Sequence, residues 1–314
     1  MTAERILITG GSGFIGANLA RNLIAAGKDV HLLVREQADP WRLAGIESQC
    51  TMRRADLLDL LAVRRVVAAC RPHVVFHLAA HGAYAFQQDR AAILATNLLG
   101  TANLLQALEY SDYRALVNVG SSSEYGHKAE PMCPADRLEP RTDYAVSKAA
   151  ATMLCQAEAL KGRPVTTVRV FSAYGPWEDA RRLVPSVVES CRRGEPPQVT
   201  AGWQPRDFIY VDDVVELLIA AADCPAAMGN ILHAGSGTHA TVRDMVETIV
   251  AVVGQGHFSA RYGAISMRDG EPALWQADLK ETIALTGWQP RHDLRQGVEK
   301  TVAWSASREM RKAA

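Results

Sequence analysis

A tyrosine and a lysine four residues apart are the side chains in this sequence best suited to acid–base chemistry. Tyr144 and Lys148 lie in a segment, 143–161, whose pattern predicts a helix, and residues i and i+4 of a helix share one face. A free phenol has a pKa of about 10 and is a poor base at neutral pH, but a nearby ammonium group favours the phenolate and lowers that pKa. The pair therefore predicts proton transfer to a carbonyl oxygen or from an alcohol.

A glycine-rich turn near the N-terminus predicts a dinucleotide site. The predicted strand Arg5–Thr9 runs directly into the segment 10–16, which reads GGSGFIG and opens a helix. Its glycines permit a tight turn, close approach of the backbone to a pyrophosphate, and close packing of the helix on the sheet. The helix N-terminus offers free N–H groups and the positive end of the helix dipole. We expect the cofactor phosphates to lie on Gly10, Gly13, Phe14, Ile15 and Gly16.

The residue that follows the second strand bears on the choice of cofactor. An NAD site usually has an acidic residue there, about 20 residues beyond the turn, which binds the ribose 2′-hydroxyl. Here the strand is followed by Arg35, whose guanidinium can pair with a 2′-phosphate. The sequence therefore favours NADP(H), with NAD(H) as the alternative if Glu36 or Asp39 binds the ribose.

Alternating strands and helices must position these residues. Buried strands are predicted at Arg5–Thr9, Val30–Val34, Val74–Leu78, Ala115–Val119 and Thr166–Val170. Helices are predicted from Phe14 to a stop at Gly27, and at Asp59–Ala69, Ala91–Glu109, Asp143–Lys161, Leu183–Arg192, Asp213–Asp223 and Thr241–Val253. This order predicts an α/β fold with a Rossmann-type, doubly wound parallel sheet. Residues 1–175 would form the dinucleotide domain, joined by segments near 207–235, and 176–314 mainly the substrate part.

Composition excludes several classes of protein. The 314 residues carry 34 basic and 34 acidic side chains, so no overall positive field exists to hold a nucleic acid. No apolar run is long enough for a membrane span, and the start of the chain does not read as a signal peptide. The six scattered cysteines are typical of reduced thiols in a cytoplasmic protein. His73, His77 and His81 do not predict a metal site, because on a strand this spacing separates them too far.

Several further motifs accompany the glycine turn and the Tyr144–Lys148 pair. They are the serine run Gly120–Ser123 and the segments Phe76–Ala80, Asn97–Thr101, Arg169–Pro176, Arg206–Asp213 and Gly287-Trp288. Together they resemble the extended short-chain dehydrogenase/reductase family over nearly the whole chain, in the branch of nucleotide-sugar epimerases, dehydratases and reductases. The resemblance implies a Rossmann domain that binds NAD(P), a C-terminal part that holds a nucleoside-diphosphate sugar, and a homodimer paired through two helices of each chain.

The resemblance also implies roles for individual residues at the cofactor and the reacting atoms. Counting from a strand end at Val119, Ser122 matches the catalytic hydroxyl, with Ser123 as the alternative. Lys148 would also hold the nicotinamide ribose. The remaining cofactor contacts would be Asp56, Leu57, Ala79, Ala80 and Asn97, although Asp56 could instead cap a helix that begins near Leu57.

At the substrate end, Arg206 and Arg268 match phosphate-binding or ribose-binding arginines, and Glu271 matches a ribose-binding carboxylate. Leu183 begins a segment that matches the one whose backbone contacts the base in the family, and Ser172 replaces an asparagine that is common in the family. The remaining substrate contacts would be His81, Ser123 and Glu124.

Three reactions fit these residues. Reduction of a 4-keto-6-deoxyhexose nucleotide needs only Ser122, Tyr144 and Lys148, and Arg35 favours it because reductases more often use NADPH. A 4-epimerase returns the hydride to the other face of the sugar. A 4,6-dehydratase also needs an acid and a base for elimination, for which the sequence offers Glu124 but lacks the usual Asp. The sequence ranks them in that order.

Overall fold

The computed structural model describes residues 3–254, 259–267 and 271–313, so the predicted contact Arg268 lies outside the described residues. The strands are β1 Arg5–Thr9, β2 Asp29–Val34, β3 Thr51–Arg54, β4 Val74–His77, β5 Ala115–Ser121, β6 Val165–Val170, β7 Ser172–Tyr174, β8 Gln198–Val199, β9 Pro205–Arg206, β10 Phe208–Tyr210, β11 Ile231–Ala234, β12 Ala240–Thr241 and β13 Arg261–Tyr262. The α-helices are α1 Phe14–Ala25, α2 Leu60–Cys70, α3 Arg90–Leu94, α4 Gly100–Ala107, α5 Asp143–Leu160, α6 Leu183–Arg192, α7 Val211–Asp223, α8 Val242–Gly254, α9 Lys280–Thr286 and α10 Leu294–Ala313.

Seven of these strands form one parallel sheet in the order β3-β2-β1-β4-β5-β6-β11. The predicted doubly wound α/β fold is therefore confirmed. Side chains of a strand alternate between faces, and Leu7 and Ile8 accordingly enter different apolar clusters. Helices α1 and α7 pack on the face of Ile8, and α2, α4 and α5 cover the other face.

The segment predicted as one helix, 91–109, is interrupted. Residues Ala95–Leu99 form a π-helical turn between α3 and α4. Asn97 lies in this turn and is 1% exposed, which the helical pattern of the sequence did not reveal. A π-turn inserts an extra residue and often marks a functional site.

The C-terminal part is built on α6, α8 and α10, which share an apolar cluster with the aromatic rings of Tyr174 and Tyr210. The buried carboxylate of Asp207 holds loops of this part in place. Asp207 accepts backbone N–H bonds from Ser236, Gly237 and Ala277, and these bonds oppose the rise in its pKa that burial causes.

An aromatic and arginine cluster lies where the two parts meet. The rings of Trp41 and Trp177 are 6.0 Å apart, and those of Trp177 and Trp304 are 5.3 Å apart. Arg42 Nε donates to the carbonyl of Trp177 at 2.8 Å, and the Arg308 guanidinium lies 4.6 Å from the Trp41 ring. Helix α10 is thereby tied to the loop after β2. In the described residues, no helix is both long and apolar enough to cross a membrane.

Candidate active site

The glycine turn forms a cradle that side chains would fill. Gly10 has a φ of +71°, and a Cβ there would lie 2.6 Å from the Ala79 nitrogen. A Cβ on Gly16 would overlap the carbonyl oxygen of Gly10. Helix α1 begins at Phe14 with no side-chain cap on its N-terminal N–H groups. A close-fitting backbone and an uncapped helix N-terminus suit a dinucleotide pyrophosphate.

Tyr144 and Lys148 lie on the first two turns of α5, facing the carboxyl end of β5. Lys148 is 3% exposed, and burial lowers its pKa while Glu124 opposes that change. Burial raises the pKa of Tyr144, and a side-chain hydrogen bond with Ser121 lowers it. The same phenol lies near the charge of Arg182 and the ring of Tyr84. A phenol and a hydroxyl thus meet at one edge of the sheet, and Lys148 follows the phenol by one turn of α5.

The hydroxyl beside Tyr144 belongs to Ser121 rather than to Ser122, which corrects the sequence prediction. The sequence prediction counted residues from a strand end at Val119, but β5 continues two residues further, to Ser121. Ser122 Oγ instead accepts the indole N–H of Trp275 at 3.1 Å. Ser123 is half-buried and donates its backbone N–H to Ser121 Oγ at 3.2 Å.

Glu124 does not face the substrate cleft, and its predicted substrate contact is wrong. Its side chain is fully buried, with Oε2 2.8 Å from Arg169 Nε. Oε1 accepts the backbone N–H of Ser121 at 2.8 Å and the hydroxyl of Thr152 at 3.1 Å. Ser121 and Glu124 form a capping box on the short 3₁₀ helix that follows β5. The S-x-x-E spacing of such a box is readable in a sequence and could have located both residues.

Asn97 positions the site and leaves no amide N–H for a cofactor. Its two N–H groups donate to the His81 carbonyl and to Ser147 Oγ, both at 2.8 Å, and its oxygen accepts the His81 N–H at 2.7 Å. Ser147 in turn donates to the Tyr144 carbonyl at 2.8 Å. Asn97 therefore links the loop after β4 to the turn of α5 that carries the phenol.

The remaining cofactor candidates lie at the carboxyl ends of the strands. Ala79 and Ala80 follow β4, and the exposed Arg35 follows β2. Burial is the main cause that lowers the pKa of His81, and the charge of Arg35 lowers it further. Asp56 is exposed and accepts the N–H of Leu58 at 2.9 Å. It does not cap α2, which begins at Leu60 and is capped by Asp59. The side chain of Leu57 is buried in the core, so only its backbone can reach a ligand.

The other predicted substrate residues come from several elements of the chain. Arg206 and Glu271 pair with each other at 2.9 Å. Ser172 begins β7, directly beyond β6, and Leu183 begins α6. Sequence reasoning missed Arg182, which lies near Tyr144 and 3.4 Å from the Ala83 carbonyl, because no motif marks an isolated arginine.

His77 belongs to a buried hydrogen-bond chain. Its Nδ1 lies 2.6 Å from Thr9 Oγ1 and its Nε2 lies 2.8 Å from Thr101 Oγ1. Thr101 Oγ1 donates to the Asn97 carbonyl at 2.5 Å, so the Nε2 of a neutral His77 carries the proton. Burial, with Lys148 nearby, lowers the pKa of His77 to about 3.

Together with the fold, this geometry is that of a Rossmann-type, dinucleotide-dependent enzyme. The chain belongs to the NAD dependent epimerase/dehydratase family, whose model matches residues 6–235.

Three relatives illustrate the similarity. The chain is 29% identical to a probable UDP-glucuronate 4-epimerase of Rhizobium meliloti, over 96% of each chain. A solved epimerase of Methanothermobacter thermautotrophicus superposes with a TM-score of 0.88 and 26% identity, over 99% of this chain and 95% of that one. The UDP-glucuronic acid 4-epimerase of Bacillus cereus, solved with UDP-glucuronic acid and NAD, superposes with a TM-score of 0.84 and 22% identity, over 96% and 99% of the two chains. At that identity the likeness shows the fold.

Proposed function

We propose that this protein is a nucleotide-sugar 4-epimerase that uses a bound nicotinamide cofactor and takes a UDP-sugar as substrate. The observation that carries the proposal is the set Ser121, Tyr144 and Lys148 at the end of β5, with no acidic side chain among the two residues that follow Ser121. The name of the Rhizobium relative supports a 4-epimerase and makes UDP-glucuronate the first substrate to test.

Each of the three residues has a distinct task. When bound, the nicotinamide supplies the acceptor and then the donor of the hydride. Tyr144 removes the proton of the sugar 4-hydroxyl and later returns it to the 4-keto oxygen, while Ser121 donates a hydrogen bond to that oxygen. Lys148 favours the phenolate and holds the nicotinamide ribose. An epimerase oxidises the 4-hydroxyl and then returns the hydride to the other face of the 4-keto sugar, so it consumes no cofactor. A reductase only delivers hydride to a 4-keto sugar and consumes one reduced cofactor in each turnover.

The buried position of Glu124 argues against the dehydratase. Elimination between C5 and C6 needs a base on C5 and an acid on the leaving hydroxyl. Glu124 is 0% exposed and ion-paired with Arg169, and Ser122 and Ser123 offer only hydroxyls. The reductase, which the sequence favoured, is not the activity named for any of the three relatives described above.

The test incubates the purified protein separately with UDP-glucuronate, UDP-glucose and UDP-N-acetylglucosamine and follows the C4 configuration by proton NMR. We expect one of them to reach a mixture of C4 epimers without net consumption of cofactor. Tyr144→Phe should abolish this conversion. Stoichiometric oxidation of NADPH by a 4-keto sugar would favour the reductase, and uptake of solvent deuterium at C5 with loss of water would favour the dehydratase.

We further propose a cytoplasmic homodimer. The cysteines of the chain are all unpaired. Apolar side chains on α5 and on the π-turn beside it are exposed, among them Leu99, Val146, Met153 and Leu160. Packing of these helices against a second copy would cover them.

A further inference from the structure

The buried ion pair Glu124–Arg169 lies directly behind the catalytic group, although neither side chain reaches the cleft. Arg169 is 1% exposed and Glu124 is 0% exposed. Placing two charges in the interior costs free energy that an apolar pair of similar volume would not cost. Stability alone therefore does not explain why these two charges are buried at this place.

The first reason for the buried pair is positional, because Glu124 holds two elements of the site together. Glu124 Oε1 accepts the backbone N–H of Ser121, the residue whose side chain meets the Tyr144 phenol. The same oxygen accepts the hydroxyl of Thr152 on α5, two turns beyond Tyr144. One carboxylate thus joins the strand end that carries the serine to the helix that carries the tyrosine.

The second reason is electrostatic. The negative charge of Glu124 favours the charged form of Lys148 and raises the pKa of both Lys148 and Tyr144. The other groups that face Lys148 are Cys155 and His77, and those that face Tyr144 are Ser121, Tyr84 and Arg182. Among these groups Glu124 acts on both members of the pair.

The backbone is shaped to admit this arrangement. A Cβ on Gly120 would lie 2.7 Å from Glu124 Oε1 and 3.0 Å from Arg169 Cγ. Any larger residue at 120 would displace one of the two charged groups.

We propose that Glu124 is a positioning residue for the acid–base step: paired with Arg169, it fixes Ser121 against Tyr144 and places a carboxylate behind Tyr144 and Lys148. This inference rests on the proposed role of Tyr144 but not on the identity of the sugar.

The decisive variant is Glu124→Gln, which keeps an acceptor for the Ser121 N–H and removes the charge. If Tyr144 must be deprotonated to act, the reaction rate decreases once the pH is below the pKa of its phenol. Removal of the negative charge lowers that pKa, so the acidic limb of the kcat/KM profile should move to lower pH by about half a unit or more. Glu158→Gln is the matched control, because it makes the same change at a half-buried, ion-paired glutamate near the end of α5, more than three turns beyond Tyr144, and should leave the limb in place.

A second readout needs no substrate. With NAD bound, the near-ultraviolet absorbance of tyrosinate, taken as the difference between each variant and its Tyr144→Phe counterpart, reports the titration of Tyr144 directly. Glu124→Gln should shift this titration to lower pH. A wild-type titration in folded Glu124→Gln protein would overturn the proposal, and this holds even if no sugar is epimerised.

If Glu124→Gln does not fold, Glu124→Asp separates the two roles. Aspartate keeps the charge but has a shorter reach to Ser121, so kcat should fall about tenfold or more while the acidic limb stays at its wild-type pH. A limb that moves in Glu124→Asp, or an unchanged kcat, would contradict the proposal.

Discussion

At the residue scale, the difference between Ser121 and Ser122 is the most direct test of the site. Ser121→Ala removes the hydroxyl beside the phenol, and the loss of one such donor should lower kcat about 10²–10³-fold. Ser122→Ala removes only the acceptor of the Trp275 N–H and should keep kcat within about tenfold. Steady-state kinetics on the same substrate compares the two variants, and the opposite order would restore Ser122 as the catalytic hydroxyl.

Arg35 gives a second prediction at this scale. It is exposed at the carboxyl end of β2, where the adenosine ribose of a bound cofactor would lie. Arg35→Asp would repel a 2′-phosphate and accept a hydrogen bond from a 2′-hydroxyl, so it should shift preference from NADP(H) towards NAD(H). Dissociation constants for both cofactors, measured by titration calorimetry, check this. If their ratio is the same in wild type and variant, Arg35 does not select the cofactor.

At the element scale, the π-turn in the helical region 90–107 is expected to be essential to the site. Asn97→Leu would remove the three bonds that the buried Asn97 amide makes to the His81 N–H, the His81 carbonyl and Ser147 Oγ, a loss of about 2–4 kcal/mol of unfolding free energy. Asn103→Leu on α4 removes one bond, to the Leu57 carbonyl, and should cost about 1 kcal/mol. Denaturant unfolding measures both, and equal losses would contradict the special role of Asn97.

The elements themselves were largely predictable from the sequence. β1 and α6 have the predicted bounds, because β-branched runs and an amphipathic repeat identify buried strands and surface helices. The edge strand β3 was not predicted, and β11 was predicted only as part of the segments near 207–235 that join the dinucleotide domain, since short edge strands carry weak patterns. The site was predicted less well. The glycine turn and Tyr144 follow from local spacing, whereas the burial of Glu124 depends on Arg169, 45 residues away in the chain.

At the scale of the whole molecule, the exposed apolar face of α5 predicts the homodimer. Light scattering at micromolar concentration should give twice the mass of the chain. Met153→Glu places a charge on this face, where Met153 is 60% exposed, and should shift the protein towards monomer. Ile265→Glu, a matched change on an exposed residue of the C-terminal part, should not. A wild-type protein that is monomeric at that concentration would reject the prediction.

Acid should destabilise the molecule through buried neutral histidines. His233 accepts the Tyr125 hydroxyl at 2.5 Å and donates to the Asp278 carbonyl, and burial lowers its pKa from 6.5 to about 4. In the unfolded chain the His233 imidazole binds a proton below about pH 6.5, whereas in the folded chain it binds one only below about pH 4. The contribution of this group to the free energy of unfolding is therefore fully present above the window and is lost within it as the pH falls, on the order of 3 kcal/mol.

The check compares unfolding free energies across that pH window in wild type, His233→Gln and His239→Gln. We expect a flatter pH dependence in His233→Gln, and a wild-type slope in the exposed-site control His239→Gln. Equal slopes in all three proteins would assign the acid sensitivity to other groups.

The position of β11 in the main sheet has a consequence for how the chain is made. As the ribosome releases the protein, β6 emerges with its outer edge unpaired, and it stays so until residues 231–234 follow. The apolar side of α1 likewise stays uncovered until α7, at residues 211–223, has been synthesised. An open strand edge and an uncovered apolar face are the surfaces on which nascent chains aggregate. The dinucleotide half therefore completes its folding only after most of the chain has been synthesised, and a fragment that stops at residue 175 would keep both surfaces exposed.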